Sequence, residues 1–112
     1  MGIFNVTRST LLVRHFSGVP VEAANIIANA SPTYGSRARA LQAAMMALVL
    51  QKKPTRLRYP KRKGGVTRVS YKLLPQTVEL IDRYTPVFGT SGAVIGALSV
   101  VIKAIDKKMR EK

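Results

Sequence analysis

The sequence contains no cysteine and one histidine, His15. A disulfide framework, a zinc finger and a thiol nucleophile are therefore excluded, and too few soft ligands remain for a transition-metal site. The five acidic residues are scattered, so no carboxylate pair is positioned for general acid-base catalysis. No phosphate-binding loop motif is present either. We therefore expect a protein that is not an enzyme and that uses no metal, cofactor or small-molecule substrate.

Secretion and membrane signals are also missing from the sequence. The start, MGIFNVTRST, lacks the basic region, the apolar stretch and the cleavage site of a secretory signal. The uncharged run over residues 86–102 is short for a membrane span and is interrupted by Gly89, Gly92 and Gly96. These features favour an intracellular protein, in the cytoplasm of a cell or of an infected host, that has no membrane partner.

Positive charge is the most unusual property of the composition. The 112 residues include 19 Lys and Arg but only 5 Asp and Glu, which gives a net charge of +14 and a pI near 11.1. Such a surplus repels itself unless an anionic partner neutralises it. The apolar fraction of 46% is sufficient for the core of one domain of this length.

An internal repeat organises the chain. The segment Ile26–Ser36 aligns without a gap with the later segment Leu80–Thr90, through an apolar-Ile pair and a Ser/Thr-Pro-x-aromatic-Gly-Ser/Thr turn. The pattern predicts two units, residues 1–50 and 66–112, that together form one compact domain. Chance similarity between alanine-rich helices is the alternative explanation.

The second unit has the clearer pattern. Apolar and polar residues alternate from Val66 to Leu73, which predicts a strand with Val69, Tyr71 and Leu73 on its inner face and Arg68, Ser70 and Lys72 on its outer face. A helix should then begin at Pro75 and end at Pro86, and a second helix should follow Thr90 or Ser91.

The first unit should repeat this order, with a strand within residues 7–16 and helices over about 20–30 and 36–50. Its strand register is open, because one alignment matches Arg14 with Arg68 and another matches Arg8 with Arg68. Both alignments shift the strand by an even number of positions, so the same residues face outward in either case. We expect Thr10, Leu12 and Arg14 on the outer face, with Arg8 beyond them.

The second long helix is apolar on nearly all sides between Gly92 and Ile102. Burial in a four-helix core explains most of this composition. The alternative is a self-association surface through Gly92, Gly96 and Ser99 that joins neighbouring molecules along DNA.

Residues 51–65 form a basic linker with seven Lys or Arg and two prolines. It is either a solvated tether or an arm that lies along phosphates and is anchored to the body by Leu57 and Tyr59.

One strand and two helices cannot bury their own apolar faces, but two such units can pair their strands and interlock their helices. The predicted fold is mainly α with a short two-stranded antiparallel β-ribbon. This plan resembles the ribbon-helix-helix family of Arc- and MetJ-like regulators, with both units on one chain, as in plasmid-transfer proteins and regulators of archaeal filamentous viruses. The resemblance implies an intramolecular pseudo-dimer that regulates transcription.

The resemblance also implies how double-stranded DNA would be bound. A two-stranded ribbon fits the major groove, where its outward side chains meet base edges. The implied base contacts come from both strands: Thr10, Leu12, Arg14, Arg68, Ser70 and Lys72. The implied phosphate contacts come from the helix starts, the linker and the residue before the first strand: Arg8, Ser36, Arg37, Arg39, Arg56, Arg58, Lys61, Arg62, Lys63, Thr90 and Ser91. Because the two halves differ, the site should be an imperfect palindrome.

Two other functions are compatible with the charge. A sequence-independent architectural protein that binds DNA or RNA requires only a basic surface. A membrane-surface protein also requires basic residues, but it requires neither the repeated turn nor the alternating strand.

Overall fold

A computed structural model describes residues 11–59 and 65–110. Thr10, Arg8, Lys61, Arg62 and Lys63, all predicted to contact DNA, lie outside the described residues. The elements follow in the order β1 (Leu12–Pro20), α1 (Val21–Tyr34), α2 (Arg37–Val49), a short 3-10 turn (Pro54–Leu57), β2 (Val66–Leu73), α3 (Pro75–Phe88) and α4 (Ser91–Arg110). The described chain is mainly helical, and the order strand, helix, helix occurs twice.

The two strands form one antiparallel ribbon, as predicted. Residues from Leu12 to Phe16 pair in order with residues from Leu73 back to Val69. The register then shifts, and Val19 pairs with Thr67. The strands come from different halves of the sequence, so their pairing joins the two units into one body.

The alignment of the repeat holds for the helices. The first helix of each unit, α1 or α3, begins and ends at equivalent positions. The second helices begin at Arg37 and Ser91, which are also equivalent in the repeat, but α4 continues to Arg110 whereas α2 ends at Val49. The first strand covers Leu12–Pro20 and so runs beyond the predicted window of residues 7–16.

The prediction that the first helix of each unit ends at or before its proline was wrong. Helix α1 continues through Pro32 to Tyr34, and α3 continues through Pro86 to Phe88. A proline inside a helix removes one backbone donor and crowds the carbonyl four residues earlier. Both prolines lie in the last turn, where few helical hydrogen bonds remain to be lost. The N–H groups of Gly35 and Gly89 then close the helices by donating to the carbonyls of Ser31 and Thr85.

Helix α4 lies at the centre of the molecule. Its apolar residues from Val94 to Ile102 are almost all buried, and it packs against all three other helices and β1. The strands contribute Phe16, Val19, Tyr71 and Leu73 to the same core. Burial in the core therefore accounts for the apolar composition of this helix.

Gly92, Gly96 and Ser99 are not available to join neighbouring molecules, because the chain itself covers this face. A Cβ added at Gly96 would lie 3.0 Å from the Cβ of Tyr59 and 3.7 Å from Pro20. Ser99 is fully buried, and its hydroxyl donates to the carbonyl of Gly96 over 2.6 Å. These small residues allow the linker and β1 to approach α4 closely.

The described part of the linker, residues 51–59, is attached to the body. Leu57 and Tyr59 pack against the core, which confirms their predicted role as anchors. The Tyr59 hydroxyl donates to the carboxylate of Glu22 over 2.8 Å. The Arg58 guanidinium donates to the carbonyl of Phe88 over 2.9 Å and lies 5.5 Å from the centre of its ring.

Candidate nucleic-acid interface

One side of the ribbon faces away from all four helices. We call it the outer ribbon face and define it by Val13 and His15 of β1 and by Arg68, Ser70 and Lys72 of β2. All five residues are exposed. Directly opposite residues of an antiparallel pair share one face, so Val13 lies beside Lys72 and His15 lies beside Ser70. The predicted outward positions of β2 are therefore confirmed.

The predicted outward positions of β1 were wrong. Leu12 and Arg14 pair with Leu73 and Tyr71, which are buried, so they belong to the inner face. Arg14 is directed to the other unit, where its guanidinium lies 2.8 Å from a carboxylate oxygen of Asp82 on α3. Leu12 is 44% exposed because it lies near the end of the ribbon.

A β-bulge explains the error. Three residue steps in β1, from Phe16 to Val19, face only two steps in β2, from Val69 to Thr67. Gly18 makes this possible with φ of 71°, a conformation that glycine adopts without strain. Because of this extra residue, even-numbered residues of β1 face inward before the bulge and odd-numbered residues face inward after it. Phe16 and Val19 are consequently both buried, and the parity inferred from the repeat fails before the bulge.

The bulge is held by the start of α4. A Cβ added at Gly92 would lie 2.3 Å from the carbonyl oxygen of Ser17 and 2.8 Å from that of Gly18. Only glycine permits the two backbones to approach this closely. The sequence places Gly92 in a predicted helix, but it does not indicate which backbone segment packs against this glycine.

His15 was not predicted to be part of the surface. Its Nδ1 atom lies 2.6 Å from the hydroxyl oxygen of Ser70, so a hydrogen bond crosses the middle of the outer ribbon face. The strand pattern alone would have indicated His15 only if the bulge had been recognised from Ser17-Gly18.

The second helix of each unit begins beside the ribbon. Ser36 lines a groove with Leu11 and Leu74, and Gly92 contacts the bulge. The hydroxyls of Ser36 and Thr90 each accept a hydrogen bond of 3.1 Å from the backbone N–H three residues later, as N-caps do. The remaining first-turn N–H groups lie at the positive ends of the two helix dipoles.

Three of the four described cations that were predicted to contact phosphate are accessible. Arg37, Arg39 and Arg56 are exposed, as is Thr90, whereas Ser36 and Ser91 are half-buried. Arg58 is exposed as a residue, but its guanidinium is bound to the end of α3. The structure thus brings Arg37 and Arg39 to one helix start and leaves Arg56 on the linker.

The distribution of acidic residues increases the positive character of the ribbon. The sequence has no Asp or Glu before Glu22 or between residues 23 and 78, so neither strand carries one. Asp82 is paired with Arg14, and Glu22 is bound by Tyr59. The outer ribbon face therefore presents Arg68 and Lys72 without a neighbouring carboxylate on either strand.

One tyrosine beneath the ribbon has a perturbed pKa. Burial in the core raises the pKa of Tyr71, and the positive charge of Arg37 acts in the opposite direction. The tyrosine is thus held neutral under the outer ribbon face.

Other kinds of site were sought among the described residues. No group of three or more His, Cys, Asp or Glu side chains that could hold a metal ion occurs in residues 11–59 and 65–110. Within the same ranges, no individual helix has both the length and the apolar composition to cross a membrane. Helices α3 and α4 satisfy that test only as a pair, and they are bent by 104° at the break between them.

Comparison with known proteins gives no match: no family model, no curated protein and no solved structure is significantly similar to this chain.

Proposed function

We propose that this chain is a sequence-specific transcription regulator that binds double-stranded DNA by placing the outer ribbon face in the major groove. The observation that carries this proposal is the face itself: a two-stranded ribbon, exposed, with arginine and lysine side chains and no acidic residue on either strand. The B-DNA major groove is about 12 Å wide and admits a ribbon of this kind. The resemblance to ribbon-helix-helix regulators supports the same arrangement.

Arg68 and Lys72 are the proposed guanine-binding residues. The guanidinium of arginine can donate two hydrogen bonds to O6 and N7 of guanine, and lysine can donate to the same atoms. Each good contact discriminates against a wrong base by about 1–3 kcal/mol. Arg68 and Lys72 are separated by four steps along β2, so they are about 13 Å apart along the strand.

The helix starts and the linker supply the proposed phosphate contacts. The start of α2 lies near Leu11 and Leu74 at one end of the ribbon, and the start of α4 lies against the bulge. Exposed groups at these two helix starts are the proposed phosphate contacts on either side of the groove. Arg37 and Arg39 add positive charge at the first of these sites. If about six phosphates are neutralised, a plot of log K against log salt has a slope near −5.

Selection of bound duplexes from a random pool at about 0.15 M salt tests the proposal. The wild-type chain is compared with the double variant Arg68→Ala, Lys72→Ala. The matched control is Lys107→Ala, Lys108→Ala, which removes the same charge from exposed positions near the far end of α4. These lysines are about 24 Å along the axis from the start of that helix.

We expect a defined motif for the wild type and for the control, and a motif that loses positions in the ribbon variant. A pool without any preferred sequence for the wild type would contradict the proposal and would favour a sequence-independent architectural protein. Equal loss of affinity in the ribbon variant and the control, with an unchanged motif, would assign only a general electrostatic role to Arg68 and Lys72.

A further inference from the structure

We infer that the outer ribbon face recognises a short, non-palindromic sequence in one orientation, and that His15 is the specificity-determining residue at its centre. This inference rests on the proposed function, because it concerns how the same face distinguishes bases. It goes beyond that function by replacing the imperfect palindrome expected from the repeat with a non-palindromic site, and by assigning a role to the one histidine of the chain.

The outer ribbon face consists of three successive rungs that differ in chemistry. At the first rung Val13 lies opposite Lys72, and at the second His15 lies opposite Ser70. At the third rung Arg68 faces the bulge at Ser17-Gly18 instead of a regularly paired residue. Along the ribbon, the first rung is therefore apolar and cationic, the second is polar and hydrogen-bonded, and the third is dominated by arginine.

The rungs cannot be exchanged by a two-fold rotation. A two-fold axis through the central rung would exchange the first rung with the third. Arg68 would then take the position of Val13, and the bulge at Ser17-Gly18 would take the position of Lys72. Rotating the ribbon would therefore place different groups against every base pair, so one orientation on the DNA is preferred.

The spacing of the rungs matches the spacing of base pairs. Successive outward residues are about 6.7 Å apart along a strand, and base pairs are about 3.4 Å apart along DNA. Each rung is thus about two base pairs from the next, and three rungs cover about five consecutive base pairs.

Ser70 fixes the orientation of the His15 ring. The 2.6 Å hydrogen bond occupies Nδ1, which leaves Nε2 as the ring nitrogen available to a base edge. If the serine hydroxyl donates to Nδ1, then Nε2 carries the proton and donates to an acceptor such as O6 or N7 of guanine. If Nδ1 donates to the serine, then Nε2 accepts from the amino group of adenine or cytosine. Guanine at the central position would therefore indicate the first tautomer, and cytosine would indicate the second.

Val13 adds a second distinguishing contact. It is 55% exposed at the end of the ribbon, and its methyl groups can contact the C5-methyl group of thymine. Since Val13 lies directly beside Lys72, we expect thymine and guanine at neighbouring positions on that side of the site.

The experiment is the same random-pool selection with four further variants: His15→Ala, Ser70→Ala, the double variant of both, and Val13→Ala. All three positions are exposed, and equal thermal unfolding of each variant and the wild type verifies the fold. Lys107→Ala, Lys108→Ala is the control that keeps the full motif. The affinity for duplexes that carry each of the four bases at the central position is then measured for every variant.

We expect a wild-type motif of about five positions without two-fold symmetry. His15→Ala should reduce discrimination at one central position by about 5- to 150-fold and should leave the flanking positions intact. Ser70→Ala should reduce discrimination at that same position by a smaller factor, and it should have no further effect when His15 is already alanine. A serine that only supports the strand would not show this coupling.

Three outcomes would overturn the inference. A palindromic wild-type motif contradicts the single orientation. An unchanged motif in His15→Ala, with positions lost in Arg68→Ala, Lys72→Ala, contradicts the role of His15 and retains the proposed function. A wild-type pool without any preferred sequence contradicts both, so failure of the inference and failure of the proposed function are distinguishable.

Discussion

The contact between Gly92 and the β-bulge leads to a quantitative prediction for Gly92→Ala. The new methyl group would lie 2.3 Å from the carbonyl oxygen of Ser17 and 2.9 Å from the carbonyl carbon of Gly18. Both are backbone atoms of a strand that is hydrogen-bonded to β2, so neither can rotate away as a side chain would. The helix or the bulge must move instead.

The magnitude follows from two opposing effects. Alanine favours the helix over glycine by about 1 kcal/mol. Overpacking in a well-packed interior destabilises by about 1–3 kcal/mol, and a contact this short belongs at the upper end. The net loss in the free energy of unfolding should therefore be about 2 kcal/mol. At about 4 °C per kcal/mol for a domain of this size, the melting temperature should fall by about 8 °C.

Urea-induced unfolding followed by far-ultraviolet circular dichroism measures the effect. Gly96→Ala is the matched comparison, because its methyl group would meet the Cβ of Tyr59 at 3.0 Å, in a linker that can shift more easily than a paired strand. We expect a smaller loss for Gly96→Ala than for Gly92→Ala. A Gly92→Ala variant as stable as the wild type, or more stable, would refute the described contact between α4 and the bulge.

Three further predictions concern the ion pair, the buried tyrosine and the single-chain architecture. In a double-mutant cycle, Arg14→Ala and Asp82→Ala should show a coupling of about 0.3–1 kcal/mol that decreases with added salt, since the pair is partly exposed; no coupling at low salt would contradict the bridge. Because burial raises the pKa of Tyr71, the unfolded state loses this proton first, and the free energy of unfolding should fall as pH rises above about 10. Tyr71→Phe should show a shallower fall, and parallel curves would count against this account. Finally, the melting temperature should not change over a roughly 100-fold dilution, because both strands of the ribbon belong to one chain; a decrease would indicate that the folded unit requires a second copy.

The sequence predicted the elements better than their ends. The strand Val66–Leu73 agrees with the prediction residue by residue, because its alternation has no interruption. The helix starts at Pro75 and Ser91 also agree, since proline and a hydroxyl cap are local signals. The helix ends were placed too early, at about Ala30 and at Pro86, whereas the helices end at Tyr34 and Phe88. A proline in the last turn of a helix removes few hydrogen bonds, so the helix can continue past it. Local propensity does not show how close such a proline is to the end of the helix.

The outward face was predicted correctly for β2 and incorrectly for β1. The outward positions of β1 were inferred from those of β2 through the even-numbered offset between the two repeats. This inference is valid only if neither strand contains a bulge. The bulge lies at Gly18, whose positive φ the alternation of apolar and polar residues does not reveal. His15 therefore lies on the outer ribbon face in place of Arg14.

The covalent link between the two units also affects how this protein can change during evolution. In a homodimer, one substitution in the gene alters both strands of the ribbon, so each new contact on one half-site is accompanied by the same change on the other. Here a substitution at Arg68 leaves His15 and Val13 as they were. A mutation can therefore change one side of the ribbon without changing the other. The protein can adapt to a changed target sequence one base position at a time.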